Sequence, residues 1–247
     1  MPHLPSARRP ALLVLAGLVA ALAGSPAGAG TPPGPATAAA TTTRAADSAD
    51  ERLEYGWRVK GFFGAVAGLF FPNEGDGVLS RHRLENGNLE SELLITSEKD
   101  DDPDYFRYGA EIAAGSGATV RAWSSQLWRG KTKKKEIHEV PPAAVDIASS
   151  IELLRRQRPR HEQRMEIWSD GKLYPVLVRP MGTERIEIRG RKIETLHVAV
   201  RPLVEPDRRV WKGELDLWLA TDEAATPVEI LVSRSPARVL LSLKSYP

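Results

Sequence analysis

Apolar and polar residues alternate with a period of two through most of the second half of the chain, the pattern of β-strands half buried in a sheet. Met165 and Ile167 share one face with Arg164, Glu166 and Trp168 opposite, and Asp170-Gly171 then gives a hairpin signal ahead of KLYPVLVRP. TERIEIRGRKIETLHVAVRP repeats the alternation through Ile186 and Ile188, then through Leu196, Val198 and Val200. Leu215, Leu217 and Leu219 oppose Asp216 and Trp218, and the triplets Val228, Ile230, Val232 and Val239, Leu241, Leu243 complete the series. Short turns between such strands predict an antiparallel meander, since parallel neighbours need crossovers of about a dozen residues or more.

The first half is less regular. Val78 to Lys99 mixes short apolar and polar runs around Asn86-Gly87, a tight-turn signal between strands. YFRYGAEI and then GATVRAWSSQLWRGKTKKKEIHEV predict two further strands, with Gly115 to Gly117 between them. In the second of these, Arg121, Trp123, Ser125 and Leu127 share one face. After Pro141-Pro142 the period changes. Ile147, Ile151 and Leu154 fall at i, i+4 and i+7, which predicts a helix, limited by Pro159 and with Arg155 and Arg156 placed favourably against its carbonyl-rich end. The fold class expected is mainly β: a curved antiparallel sheet, half-barrel or open barrel-like meander, with one main α-helix. Such a sheet either curls around its own side chains or has its concavity filled by the helix and an early apolar segment.

That segment is Gly61 to Asn73, which carries no charge and contains Phe62, Phe63, Phe70 and Phe71. A buried opening strand or hairpin is the simpler reading. The functional one is an apolar lip that touches lipid or an acyl ligand, and Trp128 and Trp168 are further candidates for such a surface.

Residues 1–29 read as a signal peptide rather than as part of the fold. Arg8 and Arg9 precede the apolar run ALLVLAGLVAALAG at 11–24, and Ala27 and Ala29 suit cleavage after Ala29. As a helix that run would span only about 21 Å, short of a roughly 30 Å hydrocarbon core. Residues 30–47 are a flexible Pro/Ala/Thr-rich linker, and 48–247 form a single domain. Periplasmic localisation follows, with no integral membrane span after cleavage.

The 247 residues carry 34 Lys and Arg against 32 Asp and Glu, a net charge of +2 that lies wholly in the two arginines of the signal peptide. A neutral mature chain argues against nucleic acid as a partner. The absence of cysteine removes thiolate chemistry and lipoprotein anchoring. His82, His138, His161 and His197 include no pair at metal-ligand spacing, and DDDPD at 100–104 lacks the spaced ligands of a calcium loop. There is no G-x-S-x-G elbow and no phosphate loop, so no catalytic residue, metal site or cofactor is expected. The basic clusters Arg129 to Lys135 and Arg155 to Arg164 have acids beside them at Glu136, Glu139, Glu152 and Glu162, the pattern of a solvated, salt-bridged surface more than of an anion-binding strip.

From Val145 to Leu243 the order of elements resembles the bacterial envelope family called domain of unknown function 3108. The resemblance is carried by VDIASSIELLR, WSDGKLYPVLV, RKIETLHVAV and above all GELDLWLATDEAATPVEI, where Gly213, Trp218, Asp222 and Pro227 stand at the family's glycine, tryptophan, aspartate and proline places. It implies an exported, strongly curved sheet with a helix and no established catalytic set, with Asp170, Gly171, Tyr174, Trp218, Asp222 and Pro227 in turns and packing. The expected function is noncatalytic binding of an apolar or lipid-like ligand, or of another envelope component. The alternatives are a hydrolase acting on envelope glycan or lipid, and a scaffold that binds another envelope protein.

Overall fold

A computed structural model describes residues 50–60, 74–97, 105–128, 131–141, 144–169, 172–234 and 237–247. Among the described residues twelve strands form one sheet: β1 (Glu51–Val59), β2 (Glu74–Arg83), β3 (Leu89–Ser97), β4 (Tyr105–Ile112), β5 (Thr119–Trp128), β6 (Lys131–Glu139), β7 (Gln163–Ser169), β8 (Lys172–Ile188), β9 (Arg191–Pro202), β10 (Glu214–Ala220), β11 (Pro227–Arg234) and β12 (Ala237–Leu243). The helix α1 (Ile147–Gln157) lies between β6 and β7. The spatial order is β6-β5-β4-β3-β2-β1-β12-β11-β10-β9-β8-β7, so two meanders meet where the first strand pairs with the last. All of these pairings are antiparallel, as the sequence predicts.

The sheet stays open, because its edge strands β6 and β7 do not pair with each other. The chain between them spans the seam. Val145 makes a parallel bridge to Ile167, its N–H donating to the Glu166 carbonyl and its carbonyl accepting from the Trp168 N–H. Val140 and Ala144 pack with Ala122 of β5 and with Trp168 and Leu173 of β7 and β8, which brings the two ends of the sheet together and gives it barrel-like curvature. One apolar cluster fills the inside, with residues from β1 through β3, from β7 through β12 and from α1; Tyr55, Val178, Leu217, Ile230, Leu241, Ile151 and Leu154 are all fully buried within it. Those from β10, β11 and β12 are the alternating residues that the period-two pattern marks.

Two sequence expectations need correction. GATVRAWSSQLWRGKTKKKEIHEV is a hairpin of two strands, β5 and β6, rather than one. Its lysine run lies in the edge strand β6, where lysine discourages pairing with other chains. KLYPVLVRP and TERIEI, read as separate strands, form the single 17-residue β8, which passes Pro180–Gly182 through a β-bulge. Gly182 takes the positive φ of 111° that the bulge requires, and Met181 is turned out to solvent. The turn comes later, at Arg189-Gly190, both at positive φ as a tight hairpin demands.

The α1 helix starts at a cap that the apolar spacing does not mark. The Asp146 carboxylate accepts from the N–H groups of Ala148 and Ser149, and the Ser149 hydroxyl accepts from the N–H of Asp146, a reciprocal capping box. Burial pushes the Asp146 carboxyl above the usual range, and these bonds offset only part of that. Arg158 ends the helix at φ 44° and Pro159 follows.

The opposite electrostatic case occurs at the β4–β5 end. Glu111 accepts from the side-chain amides of Asn86 and Asn88 in the β2–β3 turn and pairs at 2.7 Å with Arg121. The two amides, and then Arg121, hold its carboxyl below its ordinary 4.5 although burial opposes them. A depressed carboxyl stabilises the fold above its ordinary value and loses that contribution as pH falls through the depressed one. Glu111→Gln is therefore expected to cost about 1–2 kcal/mol at pH 7, with the difference from wild type shrinking as urea unfolding is repeated from about pH 5 down to pH 3.

Candidate functional site

The α1 helix lies across one mouth of the barrel. At its N-terminal end Ser149 accepts a hydrogen bond of 2.8 Å from Thr119 at the start of β5. Ala148 then packs on Leu89, Ala110 and Ile112 of β3 and β4. Ser91, Ala110 and Ala122 stand opposite one another across β3, β4 and β5, a row of small buried residues that lets a helix approach the sheet closely. Farther along, Glu152 pairs with Arg81 of β2, and Arg155 reaches Glu51 of β1. At the C-terminal end the Arg158 guanidinium donates to the carbonyls of Thr221, Asp222 and Glu223, in the turn between β10 and β11. The helix thus crosses from one wall to the other.

Its inner polar contacts form one closed network. Arg155 donates two bonds to Glu51, at 2.7 and 2.9 Å, one to Glu152 at 2.9 Å and one to the Ala224 carbonyl at 3.2 Å. Arg81 lies 3.2 Å from Glu152 and 3.7 Å from Glu51. Side-chain exposure falls from 17% at Glu51 and 15% at Arg81 to 4% at Arg155 and 1% at Glu152, so the network runs inward from the rim. Two positive and two negative groups leave it neutral. Burial alone would lower the Arg155 pKa, but Glu152 and Glu51 outweigh it and hold the guanidinium more firmly protonated than usual. Beside them Tyr55, fully buried, donates at 2.7 Å to the Pro227 carbonyl, and burial drives its phenol well above the ordinary range. This bond ties β1 to β11. Tyr55→Phe is expected to lower stability by about 1–2 kcal/mol in urea unfolding, because the carbonyl then stays buried without its donor.

A second polar cluster lies on the other face of β8, β9 and β10. His197 stacks on Trp218 with ring centroids 4.5 Å apart. Its Nε2 is 2.9 Å from Asp216 and its Nδ1 is 3.2 Å from Glu184. Arg201 donates to Asp216 at 2.6 Å, and the Trp218 indole N–H donates to Glu184. Both imidazole nitrogens therefore face carboxylates rather than a hydroxyl, and the cluster fastens three strands together. No group of three or more His, Asp or Glu among the described residues is arranged to hold a metal ion.

The candidates named from sequence are scattered. Phe62, Phe63, Phe70 and Phe71 lie outside the described residues, as do Asp170 and Gly171 of the expected hairpin turn. Trp128 ends β5 opposite Lys131, and its side chain too lies outside what is described. Trp168 is 8% exposed and packs in the seam against Ala122, Val140, Ala144 and Leu173. Asp222 accepts from the Ala225 N–H and from the Tyr246 hydroxyl, a turn role that the resemblance implies. Glu152 and Arg155, which the charge pattern puts on a solvated face, are buried instead. The signal lies in Ala148, Glu152 and Arg155, which follow each other at i, i+4 and i+7 beside the apolar stripe; their partners Glu51 and Arg81 come from strands far away in sequence.

No helix among the described residues is long and apolar enough to cross a membrane. No curated protein matches the chain. A solved structure from Brucella abortus, a β-barrel-like protein of domain of unknown function DUF1849, superposes with a TM-score of 0.52 at 7% identity, covering 78% of this chain and 94% of that one, a likeness of fold alone. The family model for the protein of unknown function DUF3108 matches residues 106–236, from β4 to the end of β11, and the chain belongs to that family.

Proposed function

We propose that the protein is an exported, noncatalytic binding protein of the bacterial periplasm, which holds an apolar or lipid-like ligand or another envelope component. The observation that carries this reading is the barrel-like sheet whose inner face is apolar along β1 to β3 and β7 to β12, with α1 seated at its mouth through a polar network. The N-terminal pattern supports export, and mass spectrometry of the protein from a periplasmic extract is expected to find Gly30 as its first residue.

The ligand is tested by gentle extraction from the envelope and native mass spectrometry. A co-purifying amphiphile in stoichiometric amount is the expected result. Protein that is ligand-free through several mild extractions, and that also takes up none of a panel of envelope lipids, would overturn the reading.

A further inference from the structure

β8 is longer than its neighbour on the open side of the sheet. β7 pairs with Lys172–Val178, whereas β9 follows β8 as far as Ile188, so beyond the Pro180–Gly182 bulge β8 has no strand on its other side among the described residues. The neighbours fix which way its backbone groups point there. Thr221 donates its N–H to the Glu194 carbonyl, so Glu194 faces β10 and Thr195 faces β8. Glu184, opposite Thr195, therefore faces β9, and its carbonyl accepts from the Thr195 hydroxyl at 2.9 Å. Successive residues of a strand point their N–H and C=O groups to opposite sides, which leaves those of Thr183, Arg185 and Glu187 aimed outward. All three residues are exposed, and neither Arg185 nor Glu187 has an ion-pair partner among the described residues.

An antiparallel ladder formed with a second copy of the same edge is two-fold symmetric, with residue i opposite j and j opposite i. Outward-facing residues must meet outward-facing ones, so the axis passes through 184, 185, 186 or 187. At Glu184, Arg185 or Glu187 the residue on the axis meets its own like charge. At Ile186 it meets an isoleucine, and Arg185 then stands opposite Glu187 of the second copy on both sides of the axis. The charges that repel a shifted or unrelated strand thus fit one register.

We propose that the protein self-associates through this edge, as a two-fold dimer in which β8 pairs antiparallel with β8 of a second copy about Ile186. Arg185 and Glu187 exchange backbone hydrogen bonds across the axis and form reciprocal ion pairs. Ile186, which packs with Ile188 and Ile193 in its own molecule, meets its counterpart beside them. The contact is small, so association is reversible and depends on concentration.

Sedimentation velocity over a roughly hundredfold range of concentration, up to about 1 mM, is expected to show wild type passing from monomer towards dimer. Arg185→Glu and Glu187→Arg each set like charges opposite one another, and each is expected to weaken dimerisation at least about tenfold. Both positions are exposed, so the fold is not at stake. An equimolar mixture of the two variants restores opposite charges at both pairs, and association is expected to return to about the wild-type level. Amide exchange followed by NMR is expected to slow at Arg185 and Glu187 as wild type is concentrated, while Glu184 and Ile186, bonded to β9, are slow throughout. A protein that stays monomeric across the range would overturn the proposal. So would a dimer that the charge reversals do not weaken, or one that the mixture does not recover.

Discussion

Arg155→Met is expected to lower the free energy of unfolding by about 3–5 kcal/mol, because it leaves a buried charge without its partner. Glu152 has 1% of its side chain exposed and would keep only Arg81, while Glu51 would lose both of its short bonds to Arg155. The remaining group would then carry a net negative charge beside an apolar core. Adding Glu152→Leu is expected to recover most of the loss, since a hydrophobic pair of similar volume commonly equals or exceeds a buried ion pair in stability. Urea unfolding followed by tryptophan fluorescence would measure both. A single-variant cost below about 1 kcal/mol, the size of an exposed ion pair, would show that water reaches the network freely.

Gly75→Ala is expected to cost about 3 kcal/mol, the upper end of what overpacking usually does. Gly75 stands opposite Trp57 in the β1–β2 ladder, and the indole lies over it, donating at 2.7 Å to the Thr96 carbonyl. A Cβ at Gly75 would press well inside van der Waals contact with that carbonyl oxygen and sit 2.6 Å from the indole nitrogen. The indole could rotate away, but the oxygen belongs to the β3 backbone and cannot move without shifting the strand. Trp57 would lose its bond and its burial, so red-shifted emission should accompany the lower urea midpoint. At Gly56, the neighbour of Trp57 on β1, an added Cβ would meet nothing within 4 Å, and Gly56→Ala is expected to stay within about 0.5 kcal/mol of wild type.

The strands that the sequence reveals best are those whose two faces have unlike surroundings. Leu215, Leu217 and Leu219 face the interior while Asp216 and Trp218 face away, so β10 declares itself by period alone. β6 does not, because KTKKKEIHE is an edge strand and its composition reflects protection from other chains more than burial. The sequence pattern divides β8 at Pro180 because proline and glycine ordinarily punctuate, whereas here they build a bulge inside a continuous strand. The helix is legible from Ile147, Ile151 and Leu154, but its polar partners are not. A network joining residues 51, 81, 152 and 155 has no local spacing to betray it, and the same holds for Glu184, His197 and Asp216, which meet across three strands.

The pairing of β1 with β12 sets the order in which the chain can assemble. Each meander, β1 to β6 and β7 to β12, is built from neighbours close in sequence and can zip from turn to turn as it emerges. The join between them is the least local ladder in the sheet, with Tyr55 opposite Leu243. Closing so long a loop is slow, and it leaves two unjoined sheet edges exposed in the meantime. β12 is therefore the strand that turns two half-sheets into a single core, and a chain cut short before Ala237 would hold nearly all of its hairpins without the contact that unites them.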